Sequence, residues 1–361
     1  MKVKHILLFF LCSIAFYSFA QRGKKVGFES LEKQGDLYLY KDVPFTGISV
    51  LMYPSKRRWQ EIEWQNGKID GFFRTWLENG NQYQDVQYKA GVRHGSYKTW
   101  HENAKPEIVA NYVNGKKDGP FKAYYKNGMR QKEATYVNGL EDGQMVIYFP
   151  NGQREQVALM KNGQPEGLTK SYNAEGVLRK EVNYANGLRH GQSIVYFNTG
   201  SIGETSNYVD GFLEGKKLTY TSDEKLLTEE NYVKGLRHGA SIKYDFNELK
   251  LEETHYKHGL KHGSYTRWEN HIVDTKGEYE EDLKTGPWIE NGTNEKAKST
   301  GTYREGKKTG PWIIGETPLF GKQEGSFIDG IKDGLWTVYD HKDKKIRVEK
   351  WQNGTLVSVV E

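Results

Sequence analysis

The chain has 361 residues, of which 36% are hydrophobic, 13% are aromatic and 40 are glycine. So few aliphatic side chains exclude several large buried cores, and so many aromatics exclude intrinsic disorder, which is poor in them. Its 52 basic and 47 acidic residues are interspersed and leave a formal net charge of only +5, which is no nucleic-acid footprint.

At the N-terminus, Lys2 and Lys4 precede an apolar run from Ile6 to Phe16, and Ser18-Phe19-Ala20 forms a small-x-small cleavage site. The run is well short of the ~20 residues of a spanning helix. Residues 1–20 are therefore expected to be a cleaved signal peptide, which implies a Sec-type export route and a periplasmic, outer-membrane-associated or secreted protein. The sole cysteine, Cys12, falls inside this leader, behind a Leu11 too large for a lipoprotein site. The mature chain is then expected to hold no disulfide and no thiolate metal site, and no later apolar run is long enough for a transmembrane segment.

From residue 40 onward the pattern aromatic-x-x-Gly-x-x-x-Gly recurs every 24 residues, as at Tyr88, Gly91 and Gly95, then Tyr112, Gly115 and Gly119, then Tyr136, Gly139 and Gly143. Degenerate copies keep the phase: Val43 and Asp282 replace the first glycine, Met160 replaces the aromatic, and Ser358 replaces the last glycine. One interval alone is shorter, the 23 residues from Tyr256 to Tyr279. Between signatures the chain reads as a β-hairpin. About six residues follow the second glycine and carry an aromatic at the fifth place. A turn comes next, with Asn79-Gly80, Asn127-Gly128 and Asn151-Gly152 suited to a type I′ geometry. The returning strand alternates: Ile108, Ala110 and Tyr112 share one face, Glu107, Val109 and Asn111 the other. One face is thus moderately apolar and the other wet. A lone hairpin is marginal in water, so neighbouring repeats must stack.

These Tyr-x-Asn-Gly-x-x-x-Gly blocks, at Tyr112, Tyr136 and Tyr184, resemble the MORN repeat, and more closely its bacterial variant with a repeat of about this length. The resemblance covers residues 40–354 and implies an elongated β-hairpin meander with, most often, a scaffold or protein-binding role; phospholipid binding has been proposed for some members. The expected fold is all-β, an elongated single-domain array of about thirteen antiparallel hairpins. Residues 21–39 are expected to form an N-terminal cap, chiefly Phe28 to Leu39, and Lys344 to Val360 to cover the other end, with 355–361 as a C-terminal tail.

Three rows of side chains are candidates for chemistry. Histidines precede the second glycine at His94, His190, His238 and His262. Equivalent places in successive repeats lie about 9–10 Å apart, too far for one zinc ion, and Asp70, Asp118, Asp142, Glu166, Thr309 and Asp333 occupy the same place elsewhere, so a polar turn position is the better reading. Glutamates recur at Glu133, Glu181, Glu229 and Glu253, which reads as a solvated face paired with lysine and arginine. An aromatic ladder runs through Trp76, Trp100, Tyr124, Tyr148, Tyr172, Tyr196, Tyr220, Tyr244 and Trp268. It is either the packed core, favoured because a hairpin has little else to bury, or a row of exposed rings suited to sugars or peptide side chains. The Gly286-Pro287-Trp288, Gly310-Pro311-Trp312 and Gly334-Leu335-Trp336 blocks move the bulky ring to the second place and mark either a C-terminal cap or a distinct patch.

No phosphate loop, Gly-x-Ser-x-Gly or His-Glu-x-x-His motif occurs, and the repeats leave no room for a catalytic domain. The expectation is a protein that is not an enzyme and carries no cofactor and no metal. It is read as a scaffold binding another envelope protein, with recognition of envelope glycan, peptidoglycan or lipid by the aromatic face as the alternative.

Overall fold

A computed structural model describes residues 23–360, so the export leader read from residues 1–20 lies outside the described residues. Contacts divide the chain into two compact units, Met1–Leu178 with Tyr184–Gly187 and Arg179–Asn183 with Leu188–Glu361. The expected all-β class of stacked antiparallel hairpins is what each unit shows. Within each unit the strands from Gly47 onward pair antiparallel with their neighbours in chain order; at the start of the chain Lys25–Gly27 pairs in parallel with Gly47–Met52, and residues 32–44 form a separate three-stranded sheet. Among the described residues there is no α-helix, only a 3-10 turn at Phe28–Ser30, and no helix is long and apolar enough to cross a membrane.

The signature turn is where the backbone is most constrained. Val113 pairs with Lys116, which leaves Asn114 and Gly115 as a two-residue loop, and both have positive φ, 49° and 82°. This is the type I′ geometry, and it recurs at Asn66-Gly67, Asn138-Gly139, Asn162-Gly163 and Asn186-Gly187. The sequence reading placed type I′ turns at the other end of the hairpin, and there the structure differs. The Tyr125 N–H reaches the Met129 carbonyl across a three-residue loop in which only Gly128 has positive φ. A loop one residue longer needs a single left-handed residue rather than a pair. The shortened repeat tests this rule. Glu269 pairs with Ile272, and Asn270 and His271 form a two-residue loop at φ 47° and 65°. The residue missing between Tyr256 and Tyr279 has been taken out of that distal loop, which leaves the strands in phase.

The polar place before the second glycine also acquires a reason. Its side chain accepts the N–H of the first left-handed residue in the next repeat's turn. Ala90 donates to Asp70 at 2.9 Å, Asn138 to Asp118 at 3.1 Å, Asn186 to Glu166 at 2.8 Å and Asn114 to His94 Nδ1 at 3.5 Å. Any side chain with an acceptor at the right reach serves, which is why His, Asp and Glu interchange there. The polar-turn reading of the histidine row is the one the geometry supports.

In the first unit the apolar face is carried by the second residue after the second glycine and by residues on the returning strand. Phe121, Ala134, Tyr136, Met145, Ala158 and Ala110 are buried, with Tyr97, Ile108 and Tyr112 packed against them. Direct partners combine a large and a small side chain, Phe121 with Ala134 and Met145 with Ala158. At the start of the chain, Phe45, Ile62 and Trp64 are buried against Phe28, Leu31 and Tyr38.

The second unit solves the same problem in two ways. Its early repeats place small polar groups in the interior, such as Ser193 opposite Ser206. Its last repeats place tryptophan there. Trp288, Trp312 and Trp336 are 2%, 2% and 0% exposed, so the rings of the two Gly-Pro-Trp blocks and of the Gly-Leu-Trp block are core and not a patch of exposed rings. Each indole lies on a glycine of the preceding strand, Gly277, Gly301 or Gly325, where a Cβ would overlap the ring. Each is covered by a lysine, with Lys308 Nζ 4.0 Å from the Trp312 ring centroid and Lys332 Nζ 4.1 Å from that of Trp336.

Gly301→Ala therefore forces the Trp312 ring from its seat and is expected to destabilise the fold by about 1–3 kcal/mol. The exposed control Pro311→Ala is expected to stay within about 0.5 kcal/mol. Urea unfolding followed by tryptophan fluorescence distinguishes the two. Equal midpoints for both variants would show that the glycine seat carries no packing constraint.

Candidate functional site

The two faces of the sheet are told apart by pairing. Met145 and Ala158 face the core, while Val146 is paired with Glu133 on one side and Val157 on the other, so these three project from the opposite face. The ladder lies on that opposite face. Tyr148 donates its hydroxyl to Glu133 and Tyr196 to Glu181, both at 2.7 Å.

All nine ladder residues, Trp76, Trp100, Tyr124, Tyr148, Tyr172, Tyr196, Tyr220, Tyr244 and Trp268, are half-buried, and none belongs to a buried cluster. The reading of the ladder as packed core is corrected. The ring five places after the glycine is an odd number of residues from the core position at the second place, and odd offsets point to opposite faces of a strand.

The glutamate row has the company expected of it. Arg130 lies 3.3 Å from Glu133, Lys216 2.6 Å from Glu229 and Lys250 2.7 Å from Glu253. What sequence reasoning missed is that these pairs and the ladder are one repeating unit of cation, carboxylate and ring. Arg58, Glu61 and Trp76 form one copy, with Arg58 3.3 Å from the carboxylate and 5.0 Å from the ring centroid. Arg130, Glu133 and Tyr148 form a second, and Lys250, Glu253 and Trp268 a third. The signal was present in the sequence as a cation three residues before the glutamate and a ring fifteen after it.

This arrangement offers half-exposed ring faces framed by fixed charges, at a spacing of about 9–10 Å per repeat. It can grip aromatic, aliphatic or charged groups of a ligand lying across the strands. Among the described residues, no group of three His, Cys, Asp or Glu side chains is placed to hold a metal ion.

Burial first, and then the hydrogen bond to Glu181, push the Tyr196 hydroxyl up to about 12. A tyrosine whose folded value lies above the unfolded one of ~10 stabilises the fold below pH ~10 and loses that contribution as pH rises through the folded value. Stability is thus expected to decline between pH ~10 and ~12 in part through this residue, and less so in Glu181→Gln. Ultraviolet titration of the phenols should show the highest-pH part of the curve shifted to lower pH in that variant, with burial keeping Tyr196 above its ordinary value. An unchanged titration would detach Tyr196 from the carboxylate.

Comparison with known proteins gives local and weak matches. A likeness to solved structures links the chain to the Photorhabdus luminescens Tc holotoxin pore with the TccC3-D651A mutation, at 11% identity and a TM-score of 0.17, covering 83% of this chain and 17% of that one. A second links it to the TcdB2-TccC3-Cdc42 crystal structure, at 11% identity and a TM-score of 0.15, covering 85% of this chain and 22% of that one. The chain thus spans about a fifth of those chains' length, and overlap this weak carries no functional argument. A search of curated proteins gives no significant match. The family model described as the MORN repeat variant matches residues 117–138 and 165–186, and both segments fall on the turn-and-strand unit described above. The MORN repeat variant is thus matched at these two places, in register with the hairpin array.

Proposed function

We propose that this protein is a non-enzymatic scaffold of the bacterial envelope that docks another envelope protein along its ladder face. The observation that carries this reading is the repetition, on the face opposite the core, of half-exposed rings beside cation–carboxylate pairs. Interfaces draw their binding energy from aromatic and arginine side chains seated among polar groups, and this face supplies both at every few strands. The leader pattern at Lys2 to Ala20 supports export, and the coverage of the chain by repeats supports a role without catalysis. A second reading, recognition of envelope glycan or lipid, is favoured by the same half-exposed rings, which suit the apolar faces of sugars.

Photoreactive phenylalanine at Tyr124 or Tyr148, with the buried Phe121 as control, tests the choice in intact cells. One dominant envelope protein captured from the ladder positions and not from the control is the expected result. Capture of no protein above the control overturns the protein-partner reading and transfers the ladder to glycan or lipid recognition.

A further inference from the structure

One copy of the cation–carboxylate–ring unit is incomplete in an informative way. Arg154 and Tyr172 stand where Arg130 and Tyr148 stand one repeat earlier, and the intervening carboxylate position is Val157. Val157 projects from the same face as Glu133, since both lie opposite Val146. Both neighbouring copies keep their carboxylate, Glu133 beneath Tyr148 and Glu181 beneath Tyr196. Of the other copies without a carboxylate, those at Val109, Thr205, Lys276 and Thr300 have also lost the cation, with Pro106, Ile202, Val273 and Ala297 in its place, whereas the copy at Val348 keeps Lys345. At this copy alone an arginine persists without its carboxylate beside a ladder tyrosine.

The consequence is visible in the contacts. Among the described residues, no ion pair or hydrogen bond engages the Arg154 guanidinium, and none engages the Tyr172 hydroxyl. The two side chains open on a hollow of about 460 Å³ whose walls also include Arg130, Tyr148 and Gln153. Glu133, the carboxylate one repeat earlier, is already taken by Arg130 and the Tyr148 hydroxyl. The hollow therefore presents an unneutralised guanidinium, a free phenol and two ring faces. That donor set matches a carboxylate, which accepts charge-assisted hydrogen bonds from both.

We propose that this hollow binds a carboxylate brought by an acidic side chain of a partner peptide, which completes the unit that Val157 leaves open. The inference rests on the ladder face being a protein-docking surface. It adds the position and the chemistry: an aspartate or glutamate of the partner seated between Arg154 and Tyr172, with flanking apolar groups on Tyr148 and Tyr172.

The test uses the full chain and the blocked peptide acetyl-Gly-Phe-Glu-Phe-Gly-amide, with its glutamine counterpart as control, titrated by nuclear magnetic resonance. Binding of the glutamate peptide roughly tenfold tighter than the glutamine one is expected, since only the former makes charge-assisted bonds. Val157→Glu, which installs the carboxylate already carried at Glu61, Glu133, Glu181, Glu229 and Glu253, should occupy Arg154 and Tyr172 from within and abolish the preference. Arg154→Gln should abolish the preference too, and Lys89→Gln, at an exposed residue outside the hollow, should retain it. Equal binding of the two peptides, or a preference that survives Val157→Glu, overturns the proposal. Acetate that competes as well as the peptide at equal carboxylate concentration overturns the peptide as its source. Capture of the same cellular partner by wild type and Val157→Glu would sink this inference while leaving the scaffold reading intact.

Discussion

A two-stranded hairpin has no interior, so every repeat here depends on its neighbours, and the signature turn is the joint through which that dependence runs. Two consecutive left-handed residues reverse the chain within two positions, a conformation that costs an ordinary side chain and that Asn-Gly tolerates. The N–H exposed at the first of them is answered by a side chain 20 residues earlier, as by Asp70 for Ala90 and Asp118 for Asn138. A turn therefore ends one hairpin and is held by the one before it. This local coupling is what a one-dimensional array needs, because each unit gains stability only when the next is in place.

With the turns fixed, the two faces diverge in character. One carries what core there is, and its composition changes along the chain from alanine and aromatic pairs, through serine and threonine, to tryptophans seated on glycines. Lysines such as Lys284, Lys308 and Lys332 cover the tryptophans with their stems and place their ammonium groups over the rings, so a thin sheet keeps water off its indoles without a second layer. The other face carries the ladder and the ion pairs. Exposed pairs contribute little to stability, on the order of 0–1 kcal/mol each. Their regular placement beside rings is better understood as surface chemistry available to a partner.

Much of this was legible residue by residue. The repeat length, the hairpin unit, the wet and apolar faces of the returning strand and the glycine positions all follow from local rules about turns and alternation. The candidate site was legible only in part. The ladder positions follow from the repeat, but their face depends on which place after the glycine is core, and only the buried partners Phe121 with Ala134 and Met145 with Ala158 fix that at the second place. The role of the cations Arg58, Arg130 and Lys250 is not legible, because three residues of sequence separation on a strand bring them to a carboxylate only through the irregular register near the distal loop.

The sequence alone determined the period, the strand-turn-strand grammar and the places where only a left-handed residue fits, since those depend on the chain's own dihedral preferences. The tertiary structure decided which turn takes two residues and which takes three, where the short repeat lost its residue, and which rings are buried. It also decided that Arg154 and Tyr172 stand beside an empty carboxylate position. These depend on what lies across the strand from each residue, and cross-strand neighbours are set by register, which hairpins inherit from their loops and not from any single residue.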